Sequence, residues 1–260
     1  MKTIYYTLTL FIFSFSIACS NKSTTQKNEP LHLKTASYNV RNAKGIDDVT
    51  DFDRVAAVIN NIDADAVAIQ ELDSATERSM GLVVLDELAS RTHMHASFNG
   101  SIKYLGGEYG IGILTKEKPL RKEAIALPGK REMRSLLIVE MEDYVFCCTH
   151  LDTNEAERQA SIELIMEATN KYTNKPVFLT GDLNASPTSK EIIELSQSWI
   201  MLSDPTQPTY RSDDPKHIID YIFLKSNSKF SYNVIDKEVV NEPMASDHRP
   251  LWVELEITNN

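Results

Sequence analysis

The chain has 260 residues, with 27 Lys plus Arg against 37 Asp plus Glu, and a formal net charge of −10. No Lys/Arg run occurs anywhere in it, which argues against a broad surface for nucleic-acid backbones. A hydrophobic content of 42% suits a folded domain with a substantial core rather than a disordered or fibrous chain.

Met1-Lys2 makes a short basic start, and Ile4 to Ile17 is an apolar run broken only by Thr and Ser. The run is too short for a comfortable permanent span of a bilayer. It ends in Ser16-Ile17-Ala18-Cys19, small residues before a cysteine. This start resembles a bacterial lipoprotein signal peptide over residues 1–18, with Cys19 as the lipidated residue, an ordinary secretory signal being the alternative. Residues 19–30 are polar, without apolar period, and are expected to form a flexible tether. Ser20 after Cys19 favours the outer membrane, with the facing side left open. The expectation is thus an extracytoplasmic protein held to a membrane through Cys19.

Residues 31–258 read as one domain without internal repeats. Strands are expected at Leu31–Val40, Ala66–Gln70, Gly110–Leu114, Ser135–Met141, Tyr144–Thr149, Val177–Thr180, Ile218–Leu224 and Leu251–Ile257. Several are nearly continuous apolar runs, as in strands covered on both faces. A first helix follows from Phe52, Val55, Ala56, Ile59 and Ile62, with Asp51 as its N-cap. Leu82–Leu88, Ala156–Ala168 and Ser189–Ser196 carry three more. Lys103–Tyr109 reads as a flexible Gly-containing loop on the substrate side, a plain hairpin connection being the alternative. Cys147 and Cys148 are adjacent on a strand, point to opposite faces and match no zinc spacing, so they read as small apolar residues. The simplest layered solution is an α+β fold of two face-to-face, mostly antiparallel β-sheets with helices outside.

The strand ends carry chemistry. In chain order they are Ser37-Tyr38-Asn39-Val40-Arg41, Gln70-Glu71, Thr149-His150-Leu151-Asp152, Gly181-Asp182-Leu183-Asn184, Ile219-Asp220-Tyr221 and Ser246-Asp247-His248-Arg249-Pro250. Taken singly, each has an ordinary reading: Asn39 as a turn residue, Glu71 as a surface charge, His150 as a satisfied core histidine, Ser246-Asp247-His248 as a polar cap. Together they are costly groups that a stable core has no reason to collect.

In this order the six motifs resemble the endonuclease/exonuclease/phosphatase superfamily over nearly all of 31–257. The resemblance implies a four-layered αββα sandwich with its site at one edge of the two sheets. It implies metal-dependent hydrolysis of phosphate esters, usually with Mg²⁺, Mn²⁺ being a substitute. By position it makes Glu71 the principal metal carboxylate, with Asn39 and Asp247 beside it. His248 becomes the catalytic histidine and Asp220 the carboxylate that orients it. Asp182 holds or deprotonates the attacking water, and Asn184 and His150 contact water or phosphate. Arg134, Arg158 and His217 are further candidates for substrate contacts, set against solvated roles. Two departures weaken any carry-over of DNA repair. Ile111 stands where many relatives have Asn, and Arg41 where abasic-site endonucleases have an acidic residue.

The function expected is a Mg²⁺-dependent phosphodiesterase or phosphatase acting outside the cytoplasm on a small or lipid-linked phosphorylated substrate, as a monomer. An extracytoplasmic nuclease is the enzymatic alternative, disfavoured by the acidic charge. A non-catalytic ligand-binding lipoprotein on the same scaffold is the other.

Overall fold

The computed structural model describes residues 1–2 and 29–260. The expected signal segment, the lipidation site Cys19 and most of the tether lie outside the described residues. Among the described residues, no helix is long and apolar enough to cross a membrane.

In chain order the strands are β1 (Leu31–Asn39), β2 (Ala66–Ser74), β3 (His95–Tyr104), β4 (Gly107–Thr115), β5 (Arg121–Leu127), β6 (Arg134–Glu140), β7 (Val145–His150), β8 (Val177–Asp182), β9 (Trp199–Met201), β10 (Asp220–Lys225), β11 (Phe230–Val239) and β12 (Leu251–Asn259). The helices are α1 (Phe52–Ile62), α2 (Val84–Thr92), α3 (Glu155–Thr169) and α4 (Lys190–Leu195). One six-stranded sheet runs β11-β12-β1-β2-β4-β3 and the other β5-β6-β7-β8-β10-β9. The pairs β1/β2 and β7/β8 are parallel; every other pair is antiparallel. The fold is the expected α+β sandwich.

Three apolar clusters make its layers. Leu33, Ala68, Ile113, Leu137, Phe146, Cys148, Phe178 and Val253 fill the space between the sheets. Val55, Ile59 and Ile62 of α1 and Leu85 and Leu88 of α2 cover the outside of the first sheet. Ile162 and Ile165 of α3 and Ile192 and Leu195 of α4 cover the second. Cys147 and Cys148 alternate between two of these clusters, as strand geometry demands. The Asp51 side chain caps α1 by accepting from Arg54 N at 2.9 Å.

The topology sets the site. Two parallel pairs end on the same edge, and β10 and β12, antiparallel to β8 and β1, begin there. Asp220 is therefore opposite Asp182 in register, and His150 is beside Asp182. Gly181 makes this close approach possible: at φ 149° a Cβ would stand 1.9 Å from the Thr149 carbonyl oxygen of β7.

Strands β3, β5, β9 and β11 were not evident from apolar runs. Three of them are sheet edges and one is a three-residue edge, and edges need only one apolar face. Lys103–Tyr109 is no free loop. It is the tight connection of the β3–β4 hairpin, with positive φ at both central residues, Leu105 (42°) and Gly106 (82°).

Arg158 also departs from expectation. It is buried, its Nε donates to Glu191 of α4, and its Nη1 donates to the Thr153 carbonyl at 2.7 Å. The guanidinium joins α3 to α4 and is not a substrate contact, because its donors are committed inside the protein. Breaking a buried ion pair from one side leaves an uncompensated charge and costs about 3–5 kcal/mol. Arg158→Met is expected to lower the Tm by about 10 °C in a thermal melt.

Candidate active site

Asn39, at the end of β1, is the hub. Its Nδ2 donates to Glu71 Oε1 at 3.0 Å and to Asp182 Oδ2 at 3.1 Å, and stands 3.4 Å from His248 Nε2. Glu71 reaches it through an irregularity in β2. The register against β4 shifts between Ile69 and Leu72, and Glu71 has a φ of 61°. A bulge of this kind re-aims a side chain that strict alternation would send elsewhere.

His248 lies in the turn before β12 and is held on both sides. Its Nδ1 is 2.9 Å from Asp220 Oδ2, and its Nε2 is 3.7 Å from Asp182 Oδ2. Thr209 Oγ1 donates to the same Asp220 oxygen at 2.5 Å. The ring of Tyr210 packs against the imidazole, centroids 4.8 Å apart. Ser246 Oγ ties the turn to β1 by donating to the Asn39 carbonyl at 2.7 Å. Asp247 stands with its Oδ2 3.9 Å from Arg41 Nε. Asp182 Oδ1 accepts from Asn184 N at 2.9 Å, and its Oδ2 is 3.5 Å from His150 Nε2. The Asn184 amide donates to the Leu151 carbonyl at 3.0 Å, which pins the loop after β8.

Of the expected residues, the structure brings Asn39, Glu71, His150, Asp182, Asn184, Asp220, Asp247 and His248 to one edge. Arg134, 11% exposed, pairs with Glu132 at 2.7 Å, and its charge acts on both His150 and Glu71. His217 is exposed on the rim, its ring 6.3 Å from Tyr210 rather than on the catalytic groups. Thr209 and Tyr210 escaped the sequence reading. They lie in a loop without apolar period, and the β-bridge from Tyr210 to His248, with the Thr209–Asp220 hydrogen bond, sets their place.

The charges are tuned against one another. Burial holds the Asp182 carboxyl up, and the neighbouring Asp220 charge adds to this, to about 7. Burial works against the charged form of His248, but the charge and hydrogen bond of Asp220, followed by Asp182, overcome it and carry the imidazole up to about 10. Burial, then the charges of Arg134 and His248, hold His150 well below the usual range, so it stays neutral. Burial also raises Glu71, opposed by the Asn39 hydrogen bond. Groups with pKa values pushed apart are the ordinary means of running acid and base chemistry in one cleft.

A sign follows for stability. His248 has its folded pKa raised above its ordinary 6.5, so its contribution is full below pH 6.5 and is lost as pH rises through 10. In chelator, the Tm is expected to fall between pH 6.5 and 10 by an amount on the order of 10 °C, and His248→Gln to flatten that fall. Melts across this range check it; an equally steep fall in the variant would contradict it.

Two sets of groups compete as cation ligands. Asp182, Asp220 and His248 offer atoms within 4.8 Å of one another. Asp220 Oδ2, however, is taken by His248 Nδ1 and Thr209, which makes this set an oriented imidazole beside an acid, with Asp220 Oδ1 left buried and without a partner. Glu71 has Asn39 as its hydrogen-bond partner and lies half-buried with a raised pKa, and Asp247 is close by. An oxygen-only set short of partners fits a hard divalent cation that keeps several waters.

A sequence model of the endonuclease/exonuclease/phosphatase family matches residues 36–248. No curated protein matches the chain. Among solved structures, an endonuclease/exonuclease/phosphatase protein of Beutenbergia cavernae is 19% identical, with a TM-score of 0.72, over 86% of this chain and 71% of that one. The mannosyl-6-phosphatase Bt3783 of Bacteroides thetaiotaomicron is 19% identical, with a TM-score of 0.68, over 86% and 99%. D. rerio TDP2 with a single-strand DNA product is 19% identical, with a TM-score of 0.67, over 86% and 98%. At such identities the structures share the fold.

Proposed function

The chain belongs to the endonuclease/exonuclease/phosphatase family, whose members hydrolyse phosphoester bonds, and on that premise we propose that it is a Mg²⁺-dependent phosphodiesterase or phosphatase working outside the cytoplasm on a small or lipid-linked substrate. The observation that carries this reading is the convergence of Asp182, His248 and Asp220 beside Asn39 and Glu71, drawn from both sheets onto one edge.

Glu71 and Asp247, with Asn39 beside them, would hold the cation, which would neutralise charge on the phosphate oxygens. The chain's own residues do the rest. Asp182 is a carboxylate poised to accept a proton from the attacking water. His248, charged at neutral pH, faces the same space with a donor fixed by Asp220. Neutral His150 adds a hydrogen-bonding group beside Asp182. Donors held in place for developing negative charge need no reorganisation during the reaction.

The N-terminal sequence supports export, and Cys19 is proposed as the lipid anchor. The net negative charge and the lack of any Lys/Arg run support a small substrate over a polynucleotide. The test is a Mg²⁺-containing panel of bis(p-nitrophenyl) phosphate, p-nitrophenyl phosphate, sugar phosphates, phospholipids and plasmid DNA, using protein that starts at residue 29. Mg²⁺-dependent release of phosphate or alcohol supports the reading, and turnover confined to DNA replaces it with a nuclease.

A further inference from the structure

We propose that the cavity on the far side of Glu71 is a subsite for a second anionic group, phosphate or carboxylate, carried by the substrate; this rests on the phosphoesterase reading. The cavity measures about 220 Å³ and is lined by Arg41, Lys44, Arg78, Asn42 and Phe52 as well as Glu71. Glu71 joins it to the catalytic cluster, so one molecule can reach both places.

Arg78 is the built part. Its Nε and Nη2 donate to the two oxygens of Asp73 at 2.7 and 2.8 Å, and that carboxylate is wholly buried. Thr76 Oγ1 takes a further place on Asp73 at 2.9 Å. The guanidinium also lies over the rings of Tyr104 and Tyr109, 4.9 and 5.7 Å from their centroids. A two-toothed clamp and two aromatic faces leave the fork little freedom. Among the described residues, the Nη1 of Arg78 makes no hydrogen bond. A guanidinium immobilised in advance loses little entropy on binding an anion, and its planar donors suit a carboxylate or phosphate.

The rest of the lining adds charge. Lys44 pairs with exposed Asp48 at 3.0 Å, and Arg41 pairs with Asp48 at 3.2 Å and more loosely with Asp247 at 3.9 Å, its Nη1 donating to the Gly45 carbonyl at 3.0 Å. Asp73, also in the lining, is neutralised by Arg78 and does not explain the presence of Arg41 and Lys44 there.

Affinity is measured by calorimetry in Mg²⁺ buffer with the Asp182→Asn protein, which keeps substrates intact. The probes are fructose 6-phosphate, fructose 1,6-bisphosphate and 6-phosphogluconate. The bisphosphate, the sugar acid or both are expected to bind at least tenfold more tightly than the monophosphate, and whichever does so identifies the anion. Adding Arg78→Met should bring that advantage to within threefold. Because the Met variant leaves Asp73 uncompensated, Arg78→Lys and Lys44→Met are measured beside it, and each should reduce the advantage about threefold. Equal affinities for all three probes overturn the subsite, as does an advantage unchanged in the Arg78→Lys and Lys44→Met proteins. Absence of turnover by the wild type would count against the phosphoesterase reading and leave these affinities to decide the subsite.

Discussion

Asp182→Asn is expected to lower kcat/KM for phosphoester hydrolysis by roughly 10²–10⁴-fold while raising the Tm of the metal-free protein at pH 8. The first half follows from position. Asp182 is the carboxylate that touches Asn39, faces His150 and His248, and has a raised affinity for a proton. An amide of the same shape keeps the bond from Asn184 N and takes up no proton, while giving up the bond from Asn39, worth about 1 kcal/mol. The second half follows from sign. The folded state holds the Asp182 carboxyl pKa at about 7, above its usual 3.8, so its ionised form burdens the fold. That burden is absent below pH 3.8, grows as pH rises, and is full above 7. A neutral isostere escapes it. Kinetics on a chromogenic phosphodiester and melts in chelator, on the same protein, check both halves. Unchanged kinetics, or a lower Tm at pH 8, would contradict the role given to Asp182.

The opposed signs also say why the site was readable. A cluster that weakens the fold in return for chemistry has to be written in residue types a core avoids, placed where strands end. Asn39, Glu71, Asp182, Asp220 and His248 stand out for that reason. Their convergence comes from two parallel strand pairs whose ends share one edge, and parallel pairing leaves only continuous apolar runs as its trace. What the sequence hid was of another kind. Arg158 looks like a cleft cation because its partner Glu191 is 33 residues away. Thr209 supports Asp220 from a loop with no periodic pattern. The turn of Glu71 into the site depends on a bulge, and no residue of Gln70-Glu71-Leu72 signals a φ of 61°. Long-range pairing and local backbone irregularity are decided by the packed molecule. Strand-end chemistry is decided by composition.

Removing the cation, or Glu71's charge, should have an effect as large as losing Asp182. With excess chelator, hydrolysis is expected to fall to background and to return when Mg²⁺ is restored. Glu71→Gln should lower kcat/KM by about 10²-fold or more and raise the Mg²⁺ concentration for half-maximal activity at least tenfold. The reason lies in what surrounds the carboxylate. Burial raises the Glu71 pKa, the hydrogen bond from Asn39 offsets this only in part, and Asp247 adds a like charge. Two carboxylates that repel each other in a half-desolvated place gain from a divalent ion between them. Glu71→Gln retains a group that can meet Asn39 but loses the charge, so the fold should persist while the ion is held weakly. Activation curves against Mg²⁺ for both proteins separate the alternatives. A variant with reduced kcat but an unshifted Mg²⁺ requirement would place the ion elsewhere, on Asp182, Asp220 and His248, whose atoms also converge. In that case Asp220→Asn, which also frees the His248 imidazole from its orienting bond, would shift the Mg²⁺ requirement in place of Glu71→Gln.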